Sequence, residues 1–337
     1  MMTMEQTYKK KQIQDRRRIL LIFIISLIAI FQSGMRDLKN LPDENDTPNY
    51  QTKYEELRNA PLSSVMSDFS IISTDYSERD TGYEVFMKLT QYIYKDFRFF
   101  MFLTAILFFL SFDRLIYKYV KSYLGIILVF MIYFAIFTNI VNSFMRQAIT
   151  LSITLFAVKY IIKRNWMFYY GLMLIALSIH SSAIAAFPFY FLPWFSKSKK
   201  WLFLSLVASP ILILFFQKLM SYFLEGSVYE VYVEEEMVNP VNYMALVVSI
   251  VILALLFYKH VRLIEDYELL ISAAIGTMIF LPVVFMGNTF LRISYYYVLI
   301  LLLLLPNIID HIKIPPILKL TAYSFLISFF IFLMYKT

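Results

Sequence analysis

The sequence predicts an all-α protein, a polytopic helix bundle that lies in a membrane. Of its 337 residues, 60% are hydrophobic and only 16% are charged, whereas soluble domains contain about 45–50% apolar and about 25% charged residues. Apolar runs follow one another through most of the chain, and short polar connectors separate them. This pattern favours a single membrane-embedded unit over the two soluble domains that a chain of this length would otherwise suit.

The first element is a basic segment that leads into a short apolar run. Lysines and arginines cluster in residues 1–18, and the apolar run extends from Ile19 to Phe31. The profile is typical of a signal peptide, but no small-x-small cleavage site follows the run. We therefore expect an uncleaved first helix with residues 1–18 in the cytoplasm, and residues 19–337 as one membrane-embedded domain.

Two longer polar segments are predicted to lie outside the cytoplasm, at residues 34–96 and 220–241. The first is rich in aspartate and glutamate, is interrupted by prolines, and ends in a helical pattern over residues 83–95. The apolar face of that pattern consists of Val85, Phe86, Leu89, Tyr92 and Ile93. Because Lys88 and Lys95 fall on the opposite face, the pattern predicts an interfacial helix.

About eleven transmembrane helices are predicted, several of them shorter than the ~20 residues that a straight crossing prefers. After the first helix they cover residues 97–112, 122–141, 144–162, 166–179, 182–195, 200–219, 242–258, 267–286, 290–306 and 317–335. Every connector predicted to be cytoplasmic carries basic residues, while the outer ones are acidic or neutral. This alternation agrees with a cytoplasmic N-terminus. It also accounts for the net charge of +7 without a nucleic-acid partner.

Four residues break this charge pattern, because they are basic and lie near the predicted outer boundary. They are Arg36, Arg146, His180 and Arg292. One interpretation is that the arginines anchor helices at the interface by snorkelling and that His180 simply hydrogen-bonds a neighbour. The other is an anion site, since cations near the membrane boundary are costly and arginines suit phosphate, diphosphate or carboxylate groups. His180 can then accept a proton near neutral pH.

Acidic and aromatic residues of the outer segments supply candidate contacts to a polar substrate. Asp46 and Asp80 can hold sugar hydroxyls or steer an acceptor, or they can be solvated loop residues. Tyr50, Tyr83 and Tyr297 offer aromatic faces that suit sugar rings and polyprenyl chains, or else pack helices together.

Several enzyme classes are excluded by missing motifs. The chain has no cysteine, no phosphate-binding P-loop, no H-E-x-x-H zinc site, no G-x-S-x-G nucleophile elbow and no D-x-D pair. Asp43, Glu44 and Asp46 lie close together, but they lack further ligands nearby. The sequence therefore predicts no cofactor and no metal.

Short motifs along the chain resemble the EpsG family, the Wzy-type polymerases of bacterial exopolysaccharide, capsule and O-antigen. They are Met35-Arg36, Asp46-Thr47-Pro48-Asn49-Tyr50, Asp80-Thr81-Gly82-Tyr83, Arg146-Gln147-Ala148, His180-Ser181-Ser182 and the segment from Arg292 to Tyr297. The resemblance covers nearly the whole chain. In the family a glycine often precedes the D-T-x-N-Y motif, whereas Glu44 and Asn45 stand there in this chain.

The resemblance implies a GT-C-like glycosyltransferase of the bacterial cytoplasmic membrane. Such enzymes join polyprenyl-diphosphate-linked oligosaccharide repeats on the outer face, without metal or nucleotide sugar, and flippase and chain-length-regulator proteins are candidate partners. We expect Arg146 and Arg292, with Arg36, to bind the diphosphate and His180 to be the base, with Asp46 or Asp80 as substitutes.

Gln147, Tyr50, Tyr83 and Tyr297 complete the expected substrate contacts, each from one of the shared motifs. Two other functions stay open for the sequence. A flippase of lipid-linked oligosaccharide would also need cations for the diphosphate, but it would be expected to carry polar residues near the middle of the bilayer. A non-catalytic component of the assembly complex would tolerate loss of Arg146.

Overall fold

A computed structural model of the chain describes residues 4–39, 45–67, 69, 71, 80–224, 240–286 and 288–336. Most of these residues are helical and none of them forms a strand, which confirms the all-α prediction. The α-helices are α1 (Met4–Gly34), α2 (Thr47–Glu56), α3 (Leu62–Ser67), α4 (Thr81–Gln91), α5 (Phe97–Tyr119), α6 (Tyr123–Ile132), α7 (Asn139–Asn142), α8 (Met145–Ile162), α9 (Trp166–Ile179), α10 (Lys199–Leu224), α11 (Val241–Leu256), α12 (Tyr258–Val261), α13 (Tyr267–Phe280), α14 (Asn288–Leu291), α15 (Tyr295–Leu301), α16 (Leu304–His311) and α17 (Pro316–Lys336). Asp43, Glu44 and most of the predicted outer segment 220–241 lie outside the described residues.

The described part contains six helical segments that are long and apolar enough to cross a membrane. They cover residues 12–34, 97–119, 145–162, 267–285, 292–311 and 316–336, and shorter apolar helices cover 123–137, 166–179 and 241–256. The chain is therefore a multi-pass helical membrane protein. The number of about eleven spans stays a prediction.

One predicted span has a different helix type from the one expected. Residues 182–195 form 3₁₀ helices, at Ser181–Tyr190 and Leu192–Trp194, instead of an α-helix. Pro188 and Pro193 lie within them, and proline removes the N–H donor and clashes with the preceding turn of an α-helix. At a rise of about 2.0 Å per residue, the first of these helices extends only about 20 Å.

The core is built around α8 and the segment from Arg292 to His311. Helix α8 packs against α5 and α9, and nearly all of the segment from Tyr295 to Leu305 is inaccessible to solvent. Helix α17 lies at the periphery, because only 11% of its apolar window is buried. The two central segments begin at Met145 and Arg292, and this brings the basic residues at their first turns together.

A second, smaller core joins the outer segment to the ends of the membrane helices. Tyr54, Tyr83 and Phe100 are almost fully buried in it, together with Met145 at the start of α8. The Lys88 ammonium donates to the carbonyl oxygens of Leu57, at 2.9 Å, and Arg58, at 3.2 Å. These contacts hold α2 and α4 against the start of α8.

The structure corrects the predicted position of Lys88 in the interfacial helix. Lys88, expected on the exposed face, is only 6% exposed, while Leu89, Tyr92 and Ile93 are 48%, 65% and 72% exposed. Lysine can be buried here because backbone carbonyls satisfy its ammonium. The apolar residues Leu89, Tyr92 and Ile93 face outward, where a membrane surface would contact them.

Ion pairs connect the basic connectors at the other end of the bundle. Lys118 lies 2.5 Å from Asp266, and Arg164 lies 3.7 Å from Glu268. The Ser122 hydroxyl donates to the Asp310 carboxylate at 2.7 Å. The connectors predicted to share one side of the membrane therefore do meet.

Candidate functional site

Asp80 lies where distant parts of the chain meet. Its side chain is only 3% exposed. One carboxylate oxygen is 2.8 Å from Arg146 Nη1 and 3.0 Å from His180 Nδ1, and the other accepts the Ser181 N–H at 3.0 Å. The buried carboxylate thereby links the start of α8 to the end of α9. It also pairs Arg146 inside the protein, which a residue that only snorkels to water would not require.

Local sequence explains how Asp80 reaches these partners. Asp80 has the left-handed conformation (φ 61°) just before α4, which aspartate tolerates better than most residues. The next glycine, Gly82, packs directly against α9, since a Cβ there would lie 2.5 Å from the Ser178 hydroxyl and 2.6 Å from the Ser178 carbonyl oxygen. Only glycine permits this close approach.

A second ion pair joins Arg292 to Asp46, with 3.4 Å between Nη1 and Oδ2. The Arg292 guanidinium carbon lies 3.5 Å from the centre of the Phe144 ring, a cation–π contact. The Gln147 amide donates to the Arg292 carbonyl oxygen at 2.5 Å. These contacts fix Arg292 beside the first turn of α8.

Tyr50 connects the two ion pairs. Its hydroxyl donates to Asp46 at 3.4 Å and accepts from Arg146 Nε at 3.4 Å. The Arg146 guanidinium also lies over the Tyr50 ring. One continuous series of contacts therefore runs from Asp80 to Arg292, and Tyr83 packs edge-on against Tyr50 beside it.

Arg36 approaches the same place from the end of α1. It donates to the Ser33 carbonyl oxygen at 2.7 Å and to the Thr47 hydroxyl at 2.9 Å, and its Nη2 lies 3.8 Å from the Met145 sulfur. Burial, together with the nearby charge of Arg98, lowers the pKa of Arg36 to about 10. Arg36 thus remains charged at neutral pH.

We call the following residues the polar cluster: Arg36, Asp46, Tyr50, Asp80, Tyr83, Arg146, Gln147, His180 and Arg292. Six buried side-chain atoms lack a hydrogen-bond partner among the described residues, and four of them belong to it. These four are Arg36 Nε, Tyr83 Oη, Gln147 Oε1 and Arg292 Nε. Because buried polar atoms are normally paired, their concentration here makes the polar cluster the candidate functional site.

The charge states of Asp80 and His180 follow from their contacts. Burial acts to raise the pKa of Asp80, but the hydrogen bond and charge of His180, with Arg146, outweigh it and hold that pKa below its usual value. Burial lowers the pKa of His180, and Asp80 offsets only part of that effect. A neutral His180 that donates its Nδ1 proton to the Asp80 carboxylate leaves Nε2 able to accept a proton.

The structure does not bring Tyr297 into the polar cluster. Its hydroxyl donates to the Ala185 carbonyl oxygen at 2.5 Å, and its ring packs against Phe189 and Phe280. The adjacent residue, Tyr296, has other contacts, because successive residues of a helix face different directions. Tyr297 is therefore a core residue here, and its predicted contact with substrate is not supported.

Tyr296 is the residue that sequence reasoning missed. Its hydroxyl lies 2.8 Å from the Thr150 hydroxyl and 2.9 Å from that of Ser182, two residues after His180. No sequence pattern signals these contacts, because Thr150 and Ser182 lie 146 and 114 residues away.

A sequence model described as the EpsG family matches residues 19–337, nearly the whole chain. The matched range includes every residue of the polar cluster. No curated protein and no solved structure matches the chain.

Proposed function

Because the chain belongs to the EpsG family, we propose that it is a polymerase of a bacterial surface polysaccharide. It transfers a polyprenyl-diphosphate-linked oligosaccharide onto a second lipid-linked repeat unit at the outer face of the cytoplasmic membrane. Family membership suggests a polysaccharide-polymerase-type membrane protein. The lipid-linked substrate and the roles of individual residues are argued from the polar cluster.

The observation that carries the proposal is the convergence of three arginines at one end of the bundle. Arg36, Arg146 and Arg292 come from widely separated segments, and the Nε atoms of Arg36 and Arg292 are buried without partners among the described residues. Guanidinium groups bind phosphate oxygens in bidentate fashion. A diphosphate at the membrane boundary offers the charge and the multiple acceptors that these donors lack.

The Arg146 and Arg292 side chains are 34% and 21% exposed, so a ligand can reach both. Both also have a carboxylate partner, Asp80 or Asp46. These ion pairs hold the two guanidinium groups in place before the ligand binds. The free-energy cost of orienting the groups during the reaction is therefore lower.

In the proposed step, the bond between the anomeric carbon and the diphosphate oxygen breaks, and its electron pair leaves with the polyprenyl diphosphate. Arg146 and Arg292 stabilise the negative charge that develops on that oxygen. The acceptor hydroxyl oxygen bonds to the anomeric carbon, and its proton passes to Nε2 of His180.

Asp80 has a different role from the substitute base that the sequence suggested. Its carboxylate is buried and engaged by three donors. It is therefore a positioning residue, which orients His180 and favours the tautomer with a free Nε2. Asp46 is 33% exposed, and it remains able to contact a sugar hydroxyl.

Cells that carry Arg146→Ala or Arg292→Ala test this function. We expect polymer synthesis to fall about 100-fold or more, as when one charge-stabilising donor is removed from an active site. Single repeat units should then accumulate on the lipid at the outer face, as measured by gel analysis of extracted lipid-linked glycans. Lys53→Ala is the control, because Lys53 is an outer cation that pairs with Glu84 and not with a residue of the polar cluster.

Normal amounts of full-length polymer from both arginine variants would refute the site. Repeat units that accumulate on the inner face instead would indicate a flippase. Polymer that is lost in cells without the protein, but normal in both arginine variants, would indicate a non-catalytic component.

A further inference from the structure

A cavity of about 790 Å³ lies beside the polar cluster in the outer segment. Its walls come from the segment after α1, the outward side of α2, and the turn that leads into α5. Its volume falls within the roughly 300–1,000 Å³ that small-molecule sites occupy. None of the residue roles assigned above uses this space.

The lining of the cavity suits a ligand that both donates and accepts hydrogen bonds. Four cations and three carboxylates line it, so neither sign of charge dominates. The Gln51 amide adds donors and an acceptor in one group. A sugar matches such a wall, because each hydroxyl can donate one hydrogen bond and accept others, whereas a diphosphate offers only acceptors.

Tyr94 gives the cavity an exposed aromatic wall. The residue is 58% exposed, and its ring packs edge-on against Phe99 with 5.7 Å between ring centres. The Tyr54 hydroxyl holds its backbone by donating to the Tyr94 carbonyl oxygen at 3.1 Å. A ring fixed in this way is apolar on its face and polar at its edge, which suits a pyranose ring.

The backbone joins the cavity directly to the polar cluster. Asp37 lines the cavity, and its neighbour Arg36 points into the polar cluster. Arg98, which also lines the cavity, donates to the carbonyl oxygens of Gly34 and Arg36 at 3.3 and 3.4 Å. Since consecutive Cα atoms are about 3.8 Å apart, the cavity and the polar cluster are neighbours along the backbone.

We infer that this cavity is a saccharide-binding subsite, which takes sugar residues of the lipid-linked substrate whose diphosphate lies at the polar cluster. The inference rests on the proposed function, because it assumes a diphosphate at the arginines.

Binding measurements on the purified full-length protein in nanodiscs test the subsite. The first probe is the repeat-unit oligosaccharide that mild acid releases from the lipid of the producing strain, and the second is polyprenyl diphosphate without sugars. We expect Tyr94→Ala and Gln51→Ala to bind the oligosaccharide about tenfold more weakly and the polyprenyl diphosphate with unchanged affinity. Arg146→Ala should show the opposite pattern.

Tyr92→Ala is the matched control, since Tyr92 is exposed to a similar extent, 65%, but does not line the cavity. The subsite is refuted if the unaltered protein does not bind the oligosaccharide, or if Tyr94→Ala and Tyr92→Ala bind it equally well. Failure of polyprenyl diphosphate to bind, or binding that Arg146→Ala leaves unchanged, would instead refute the proposed diphosphate site.

Discussion

Asp80 sets the state of the two residues that contact it. Its carboxylate pairs with Arg146 and hydrogen-bonds His180 Nδ1, while the rest of the protein shields it from water. Removing the carboxylate would leave a partly buried arginine without its ion-pair partner, which is strongly destabilising. Asp80 therefore acts on His180 and Arg146 together, and an isosteric change disturbs the surrounding packing less than truncation does.

At the residue scale, the pH dependence of polymerisation identifies the base. We expect the rate to rise with pH and to reach half its maximum below pH ~6.5, the usual pKa of histidine, because burial lowers the pKa of His180 and only the neutral form accepts a proton. Asp80→Asn removes a charge that favours protonated His180, so the rate should reach half its maximum at a lower pH than in the unaltered protein. Its maximal rate should fall by about two to four orders of magnitude, since the His180 tautomer is no longer enforced.

The measurement is the rate of polymer formation by purified protein between about pH 4.5 and 8.5, which is about two pH units on either side of the usual pKa of histidine. Glu84→Gln is the control, because Glu84 is an outer carboxylate that pairs with Lys53. The assignment fails if the pH step of the unaltered protein persists unchanged in His180→Gln.

At the element scale, the hairpin of α8 and α9 brings Arg146 and His180 together. Arg146 lies in the first turn of α8, and His180 directly follows α9. The turn between the two helices lies at the opposite end of the bundle, where Arg164 pairs with Glu268. The outer segment completes the site by packing α4 on the end of α9. The closest approach there is at Gly82, so the position of Asp80 depends on that residue.

Gly82→Ala tests this packing. The added methyl group meets the Ser178 backbone and hydroxyl, and we expect the variant to lose about 1–3 kcal/mol of stability and most of its polymerase activity. Thermal unfolding of the detergent-solubilised protein measures the first effect. Gly171→Ala in α9 is the matched control, because no atom lies within 4 Å of the added Cβ and alanine is the better helix former. Equal melting temperatures for the two variants would contradict the close approach.

At the scale of the whole molecule, two polar layers enclose the apolar bundle. One contains the polar cluster, and the other contains the connectors that Lys118–Asp266 and Arg164–Glu268 hold together. The pairs of the second layer are partly exposed, so each contributes only about 0–1 kcal/mol. These pairs show that the basic connectors lie at the same end of the bundle. The positive-inside rule predicts that this end faces the cytoplasm.

Cysteine labelling tests this orientation, since the chain contains no cysteine of its own. We expect a membrane-impermeant maleimide to label Thr52→Cys in intact spheroplasts and to label Lys197→Cys only after lysis. Thr52 is exposed in α2 and Lys197 has a 62% exposed side chain, so both sites are accessible once the reagent reaches their side. Labelling of Lys197→Cys in intact spheroplasts would reverse the orientation.

The sequence by itself determined the helical membrane architecture and the end of the bundle at which Arg36, Arg146, His180 and Arg292 lie. Both depend on local properties, namely the length of apolar runs and the charge of connectors. The helix type of residues 181–194 was missed because proline spacing, rather than hydropathy, decides it.

Only the tertiary structure decided which of these residues contact one another. Asp80 lies 66 residues from Arg146 and 100 from His180, and no periodic pattern links positions so far apart. The same holds for Lys88, which pairs with carbonyl oxygens beyond its own helix, and for Tyr296, whose hydroxyl contacts Thr150 while that of Tyr297 contacts Ala185. A hydropathy pattern states that a side chain is buried or exposed, but the partner that compensates a buried charge is fixed only when separate helices pack together.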